Sequence, residues 1–560
     1  MTTVQEFALG AARKYLQSIV FVDDLIYSRV PATGVKLAAD VAPAASMTIF
    51  RKPEEPVVEE VVKVKPEEAK AMEAASADDG GAMYHPKHLV ESFARQRMVC
   101  ALYEPEEGFA TDPESEVFKL CERADVVILD WDFHKQPGTK VMDLISGLVA
   151  SAQTTVPHHV RLCAIYTSTQ NLKHITSQIF QHLRDKKLDV TADGEYDLSA
   201  GSSRIIVLGK PSTGRPAEQK AAAEVAEVDL ADRIIKEFAR MHEGILPSMA
   251  LHGLAGVRNN TKKILDKFRK DMDGAFLTHR ALVWPGDDAF EQVPELLAEE
   301  ALAVMIDNRI PPDLTKKLAE KFVDDMALTT PWPDKDGKAT PAGQFHTQLL
   351  KEGAGALPKT LKFDTKVIKR LHGQVDTSNT SASERLAALY ASRTQYGDKR
   401  YLEFGTVVRF TITKDGVDQS KYAVCLMPLC DCVRLADGAA YSFPFWTLRE
   451  NASKGQSKGM VVELPGKEGF LELYSYGKPR DQLWLASLSA GADGMVEATG
   501  DADKGFAFLA GEEKTKLEWI AQLKPSHAQR IAHDLGTSLA RVGVIEAEWL
   551  RLKADGQPDD

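Results

Sequence analysis

The sequence predicts an α/β fold, a doubly wound parallel five-stranded sheet, followed by a helical region and a C-terminal α+β region with a small β-barrel or meander. Three observations lead there. Apolar runs, of which Val126-Val127-Ile128-Leu129 is the clearest, read as strands buried on both faces. Segments of helical periodicity alternate with these runs, which implies a parallel sheet with helices on both sides. Beyond Phe404 the alternation gives way to closely spaced strand patterns.

Taken in order, Val4 to Tyr15 reads as a short amphipathic helix leading into the strand Ser18 to Val22, which ends in Asp23-Asp24. Residues 31–83 are rich in Ala, Pro, Glu, Val and Lys, with PEEPVVEEVVKVKPEEAKA at the centre. Such a composition buries too little apolar surface to offset chain entropy, so it predicts a mobile acidic insertion. Order resumes at Pro86 with a helix over His88–Arg97, a strand over Met98–Tyr103 and a helix over Glu114–Arg123. The central strand then stops at Asp130-Trp131-Asp132. Pro137-Gly138 opens a helix through Ala152, with Val141, Leu144, Ile145 and Leu148 on one face. The strand Val160–Tyr166 ends in Thr167-Ser168-Thr169. A helix over Leu172–Leu183 and a polar stretch through Gly201 precede the last strand, Arg204–Gly209, which terminates in Lys210-Pro211.

Residues 228–302 read as helical, with Ile234, Ile235, Phe238 and Met241 in one stripe, and the basic run Arg258 to Lys263 as a solvated helix face. A helix over Ser381–Ser392 precedes strands at Gly405–Ile412 and Tyr422–Met427, with more strand from Gly459 to Trp484, and Lys516 to Leu552 reads as helical. The domains expected are 1–227 (with 31–83 as the insertion), a mainly helical 228–400, a β-rich 401–510 and C-terminal helices over 511–560.

A chain of 560 residues exceeds one ordinary core. Its net charge of -12 argues against broad binding to nucleic acid or anionic membranes. The six cysteines form no secretory framework, the N-terminus lacks a signal-peptide apolar region, and no apolar run has the length of a membrane span. A cytoplasmic protein is expected. Cys425, Cys430 and Cys432 invite a zinc site, but Cys430-Asp431-Cys432 has the wrong spacing and no histidine pair follows.

In a doubly wound sheet the carboxyl ends of the strands converge on one crevice. A lone strand-end aspartate is ordinarily a solvated turn. Here the ends together offer Asp23, Asp24, Asp130, Thr167 and Lys210. A carboxylate attacking phosphorus in line forms an acyl phosphate, and the step needs a divalent cation against the phosphoryl charge. Mg2+ would take Asp23 or Asp24, Asp130 and the backbone carbonyl of Asp132. Lys210 would pair with one phosphoryl oxygen and the Thr167 hydroxyl would donate to another.

At these residues, 15–30 and 86–225 resemble the receiver domain of two-component response regulators. That family carries an acidic pair after its first strand, a phosphoacceptor Asp after its third, Thr or Ser after its fourth and Lys-Pro after its fifth. Asp23-Asp24, Asp130, Thr167 and Lys210-Pro211 stand in that order. The resemblance implies a flavodoxin-like fold, Mg2+ as cofactor and a sensor histidine kinase as phosphoryl donor. It implies no enzyme beyond self-phosphorylation from a donor and autodephosphorylation. Three departures stand out: the insertion, the long stretch before the last strand, and Val207 where the family has a switch aromatic three residues before its lysine. The whole layout resembles the phosphate-buffering receiver protein of Detocs-type antiphage defence systems, whose second receiver protein carries an effector and is a further candidate partner.

Two rival readings use other residues. Asp130-Trp131-Asp132 also resembles the DxD motif of haloacid-dehalogenase-type phosphatases, but that family places DxD on its first strand and its acidic pair late. Ala532 to Gly536, with Val542 and Ile545, has helix-turn-helix spacing, yet few basic residues line it, and a terminal pair of packing helices is the simpler account.

Overall fold

The computed structural model describes residues 4–26, 86–154, 159–282, 288–325, 332–333, 339–340, 350–353, 381–450, 459–467, 469–475, 482–501 and 504–539. The insertion expected at 31–83 lies outside them. Two compact units divide the chain, Met1–Leu357 and Pro358–Asp560. No helix among the described residues is long and apolar enough to cross a membrane.

The first unit begins with α1 (Val4–Tyr15), β1 (Ser18–Val22), α2 (Pro86–Arg95), β2 (Val99–Tyr103), α3 (Glu116–Glu122) and β3 (Val126–Leu129). A two-residue pair, β4 (Asp132–Phe133) with β5 (Gln136–Pro137), leads into α4 (Thr139–Thr154). Then come β6 (Arg161–Thr167), α5 (Leu172–Asp185), β7 (Thr191–Gly194), β8 (Asp197–Ala200) and β9 (Ser203–Gly209). The sheet order is β2-β1-β3-β6-β9-β8-β7, with the first five strands parallel. The expected five strands are all present, and their apolar runs have a visible cause. Alternate residues enter two separate cores. Ile19, Phe21, Val126, Ile128, Leu162 and Ala164 pack on one face with α1 and α2. Val20, Val22, Val127, Leu129, Cys163 and Ile165 pack on the other with α3, α4 and α5.

The polar stretch before the last strand is not a loop. It folds as the antiparallel pair β7–β8, which extends the sheet beyond β9. A two-residue turn, Gly201-Ser202, joins β8 to β9, with Gly201 at φ 58°. That turn is the signal available in the sequence, since Gly-Ser between two strands marks a tight hairpin.

After β9 the chain forms α6 (Ala217–Ala223) and α7 (Leu230–Met241), whose Leu230, Ile234, Ile235 and Phe238 complete the first core. Next follow α8 (Ile245–Asn259), α9 (Thr261–Leu265), α10 (Asp273–Leu282), α11 (Asp288–Glu291), α12 (Val293–Asp307) and α13 (Pro312–Asp325). The basic run at Arg258 is not wholly a solvated face: Arg258 Nη1 bonds Asp125 Oδ1 at 2.9 Å, across to the foot of β3. On α12, Leu296, Leu297, Leu302 and Ile306 are exposed.

The second unit opens with α14 (Ser381–Ala391) and β12 (Ser392–Arg393). It continues through β13 (Thr406–Lys414), β14 (Val417–Cys425), β15 (Ala440–Arg449), β16 (Gly459–Glu463), β17 (Phe470–Ser475), β18 (Leu483–Ser489), β19 (Thr499–Asp501), β20 (Gly505–Ala510) and β21 (Thr515–Leu523). (β10 and β11 fall earlier, at Trp332–Pro333 and Ala339–Thr340.) Its strands form one antiparallel ten-stranded sheet with β13, β14 and β15 as successive neighbours. The helix expected from Lys516 is replaced by β21 through Leu523. There a bulge opposite Val407 and Val408 puts Ile520 out of register and breaks the alternation that marks a strand. Helix α15 (Pro525–Leu539) runs unbroken through Gly536, so the turn expected there is absent, while Val542 and Ile545 lie outside the described residues. Cys425 and Cys432 are buried free thiols and Cys430 is exposed.

Candidate functional site

The site is assembled by sheet register. In β1 and β3, Val22 pairs with Leu129, so Asp23 and Asp130 follow side by side at the carboxyl edge. The Asp130 amide donates to Val22 O at 3.0 Å and the Asp23 amide to Tyr103 O at 3.2 Å. Thr167 ends β6 opposite Gly209 of β9, and the Lys210 amide donates to Thr167 O at 2.8 Å. Lys210 reaches back across β6. Its Nζ donates to Asp130 Oδ1 at 2.9 Å and to Asp23 Oδ2 at 3.0 Å.

This is a dry place for charge. Asp23 is fully buried, and Asp130, Lys210 and Thr167 are buried. Burial pushes the Asp130 carboxyl up, to about 6; Lys210 pulls it down and Asp23 raises it further. The second oxygen, Asp130 Oδ2, accepts a 3.3 Å bond from the Asp132 amide. Asp23 Oδ1 accepts from the Leu25 amide at 2.8 Å, and Asp24 Oδ2 from the His134 amide at 2.7 Å. Asp24 Oδ1 is buried and accepts no hydrogen bond. The Thr167 hydroxyl lies 3.1 Å from that of Thr169.

Every residue expected at the site is therefore on one sheet edge. Asp23, Asp24 and Asp130 bring carboxylate oxygens within 4.8 Å of one another. The donors are all oxygen, the set that suits a hard cation such as Mg2+. The partnerless Asp24 Oδ1 is an acceptor such a cation would satisfy. Asp132 follows on the same loop with its side chain exposed. That loop is shaped by Gly138 at φ 77°, where a Cβ would lie 2.3 Å from the buried Trp131 ring.

One residue of the site has no signal in the sequence. Arg215, a lone cation in a Ser-Thr-Gly turn, is buried beneath the loops that carry Thr167 and Lys210.

Residues 15–215 match the family model of the response receiver domain. No curated protein and no solved structure matches the chain. A receiver domain fits phosphoryl acceptance in two-component signalling, with a histidine kinase as donor in general, and receiver domains typically bind Mg2+. The match ends at Arg215, so the receiver assignment covers the sheet and its site and leaves the rest of the chain to be argued separately.

Proposed function

We propose that this chain is a phosphoacceptor: Asp130 takes a phosphoryl group from a partner sensor histidine kinase. The observation that carries this is the Lys210 ammonium held between Asp23 and Asp130 at 3.0 and 2.9 Å. Asp130 Oδ1 faces that ammonium, while Oδ2 has one long amide bond and is the oxygen offered to phosphorus. Mg2+ would be held by Asp23, Asp24, Asp130 and the backbone carbonyl of Asp132, and when bound it offsets charge on the phosphoryl oxygens. Lys210 then turns to a phosphoryl oxygen as a point charge, and the Thr167 hydroxyl donates to another. Beyond self-phosphorylation from a donor and autodephosphorylation, no turnover is proposed.

The role we favour for such an acceptor is a phosphate sink in a cytoplasmic two-component antiphage defence system, beside a second receiver that carries an effector. Its support is the resemblance in layout, together with Val207. That residue is a buried aliphatic in the core on the sheet face away from Tyr166, so no aromatic ring stands at the family's switch position.

Labelled acetyl phosphate with Mg2+ tests the acceptor. Label is expected on the wild-type chain and none on Asp130→Asn, which keeps the shape of the side chain; label persisting on that variant refutes the site. The sink is tested by adding the chain to a phosphorylated kinase and its second receiver. Phosphate on that receiver should fall, and an unchanged level rejects buffering.

A further inference from the structure

Resting on the phosphoacceptor reading, we infer that Arg215 is a positioning residue: its guanidinium sets where the Thr167 hydroxyl and the Lys210 ammonium stand relative to each other. Its Nη1 donates to Lys210 O at 2.7 Å and to Glu224 Oε2 at 2.6 Å. Its Nη2 donates to Thr169 O at 2.9 Å and to Thr167 O at 3.3 Å. One planar group thus holds three carbonyls from two loops, the loop after β6 and the loop after β9. Those loops carry the two groups that would touch phosphoryl oxygens.

The surroundings are built for this cation. The Arg215 side chain is fully buried, and its charge is met by Glu224. Glu224 is itself fixed, because it pairs with Gly209 in a parallel bridge and the Val225 amide donates to Gly209 O at 2.9 Å. Gly209 is where the guanidinium passes: a Cβ there would lie 2.2 Å from Arg215 Nη1. A bare backbone at the end of a strand, a buried arginine against it and a carboxylate behind it are mutually dependent.

Lysine cannot replace this geometry. An ammonium is a point donor, whereas the guanidinium spans acceptors on both loops in a fixed plane. The three acid groups that would hold the cation are not bonded by Arg215. Its loss should therefore separate two measurements that global damage would move together.

The test uses the full chain, with Trp131 fluorescence reporting binding of Mg2+ and then of beryllofluoride as a phosphoryl mimic. For Arg215→Ala, beryllofluoride affinity should fall about tenfold or more while Mg2+ affinity stays within about twofold, and millimolar guanidinium should restore much of the loss. If that variant does not fold, Arg215→Lys should show the same split. Either folded variant binding beryllofluoride like wild type overturns the inference, as does parallel loss of both ligands with no rescue. A wild-type chain that takes neither beryllofluoride nor acetyl phosphate fails the acceptor reading itself, a result distinct from both.

Discussion

Lys210 lies between two buried carboxylates, and its removal leaves Asp23 and Asp130 facing each other without a cation. Lys210→Ala should cost about 3–5 kcal/mol in metal-free buffer, with much of it recovered on adding Mg2+. Denaturant titrations with and without the ion decide this, and an equal loss in both would contradict it. Asp125 makes a different prediction. Its carboxylate accepts from Arg258, from the Gln17 and Ser18 amides and from the Ser18 hydroxyl. Burial pushes this carboxyl up, yet Arg258 and the amides outweigh burial and hold it below its usual value of 3.8. A group lowered on folding stabilises fully above its unfolded pKa and loses that contribution as pH falls below it. Asp125→Asn should thus cost about 2–3 kcal/mol at neutral pH, and its gap from wild type should close as pH drops below about 4. A gap that stays constant with pH would rule out the ion pair. The strand-end residues were legible because register alone brings them together. Arg215 and the Asp125–Arg258 pair were not, since each depends on contacts between segments whose spacing carries no pattern.

At the scale of elements, the loop after β3 depends on Gly138 and Trp131 sharing space. Gly138→Ala adds a Cβ at positive φ, 2.3 Å from the indole. A loss of about 2–4 kcal/mol is expected, with a shifted Trp131 emission. An unchanged melting temperature would show that the ring moves freely. Four of the five parallel strands, β1, β3, β6 and β9, were readable for one reason: both faces are covered, so nearly every position is apolar. The edge strand β2 is only partly covered and was legible from its short apolar run. Two strands without such cover or with a broken pattern escaped. In β7 all four residues are exposed, and its sequence Thr-Ala-Asp-Gly carries no alternation. In β21 the bulge at Ile520 shifts the pattern, so that Leu517, Ile520, Ala521 and Leu523 imitate a helical face. Propensity and periodicity report cover by neighbours, and they fail where cover is absent or interrupted.

For the whole molecule, each unit owns its cores: two on the faces of the parallel sheet, two in the antiparallel unit. Residues 1–357 and 358–560 are therefore expected to fold when expressed separately, the first retaining acetyl phosphate labelling. Calorimetry of the two pieces should reproduce the transitions of the intact chain, and an unfolded second piece would reject independence. The boundaries expected from the sequence fall after residues 227, 400 and 510, whereas the two compact units divide after Leu357. The exposed Leu296, Leu297, Leu302 and Ile306 of α12 carry a practical corollary. Environment-sensitive dyes such as anilinonaphthalene sulfonate should light up on the native protein. Their brightness at the start of a melt would then be a property of intact material, and screens that score dye signal as damage would discard good preparations.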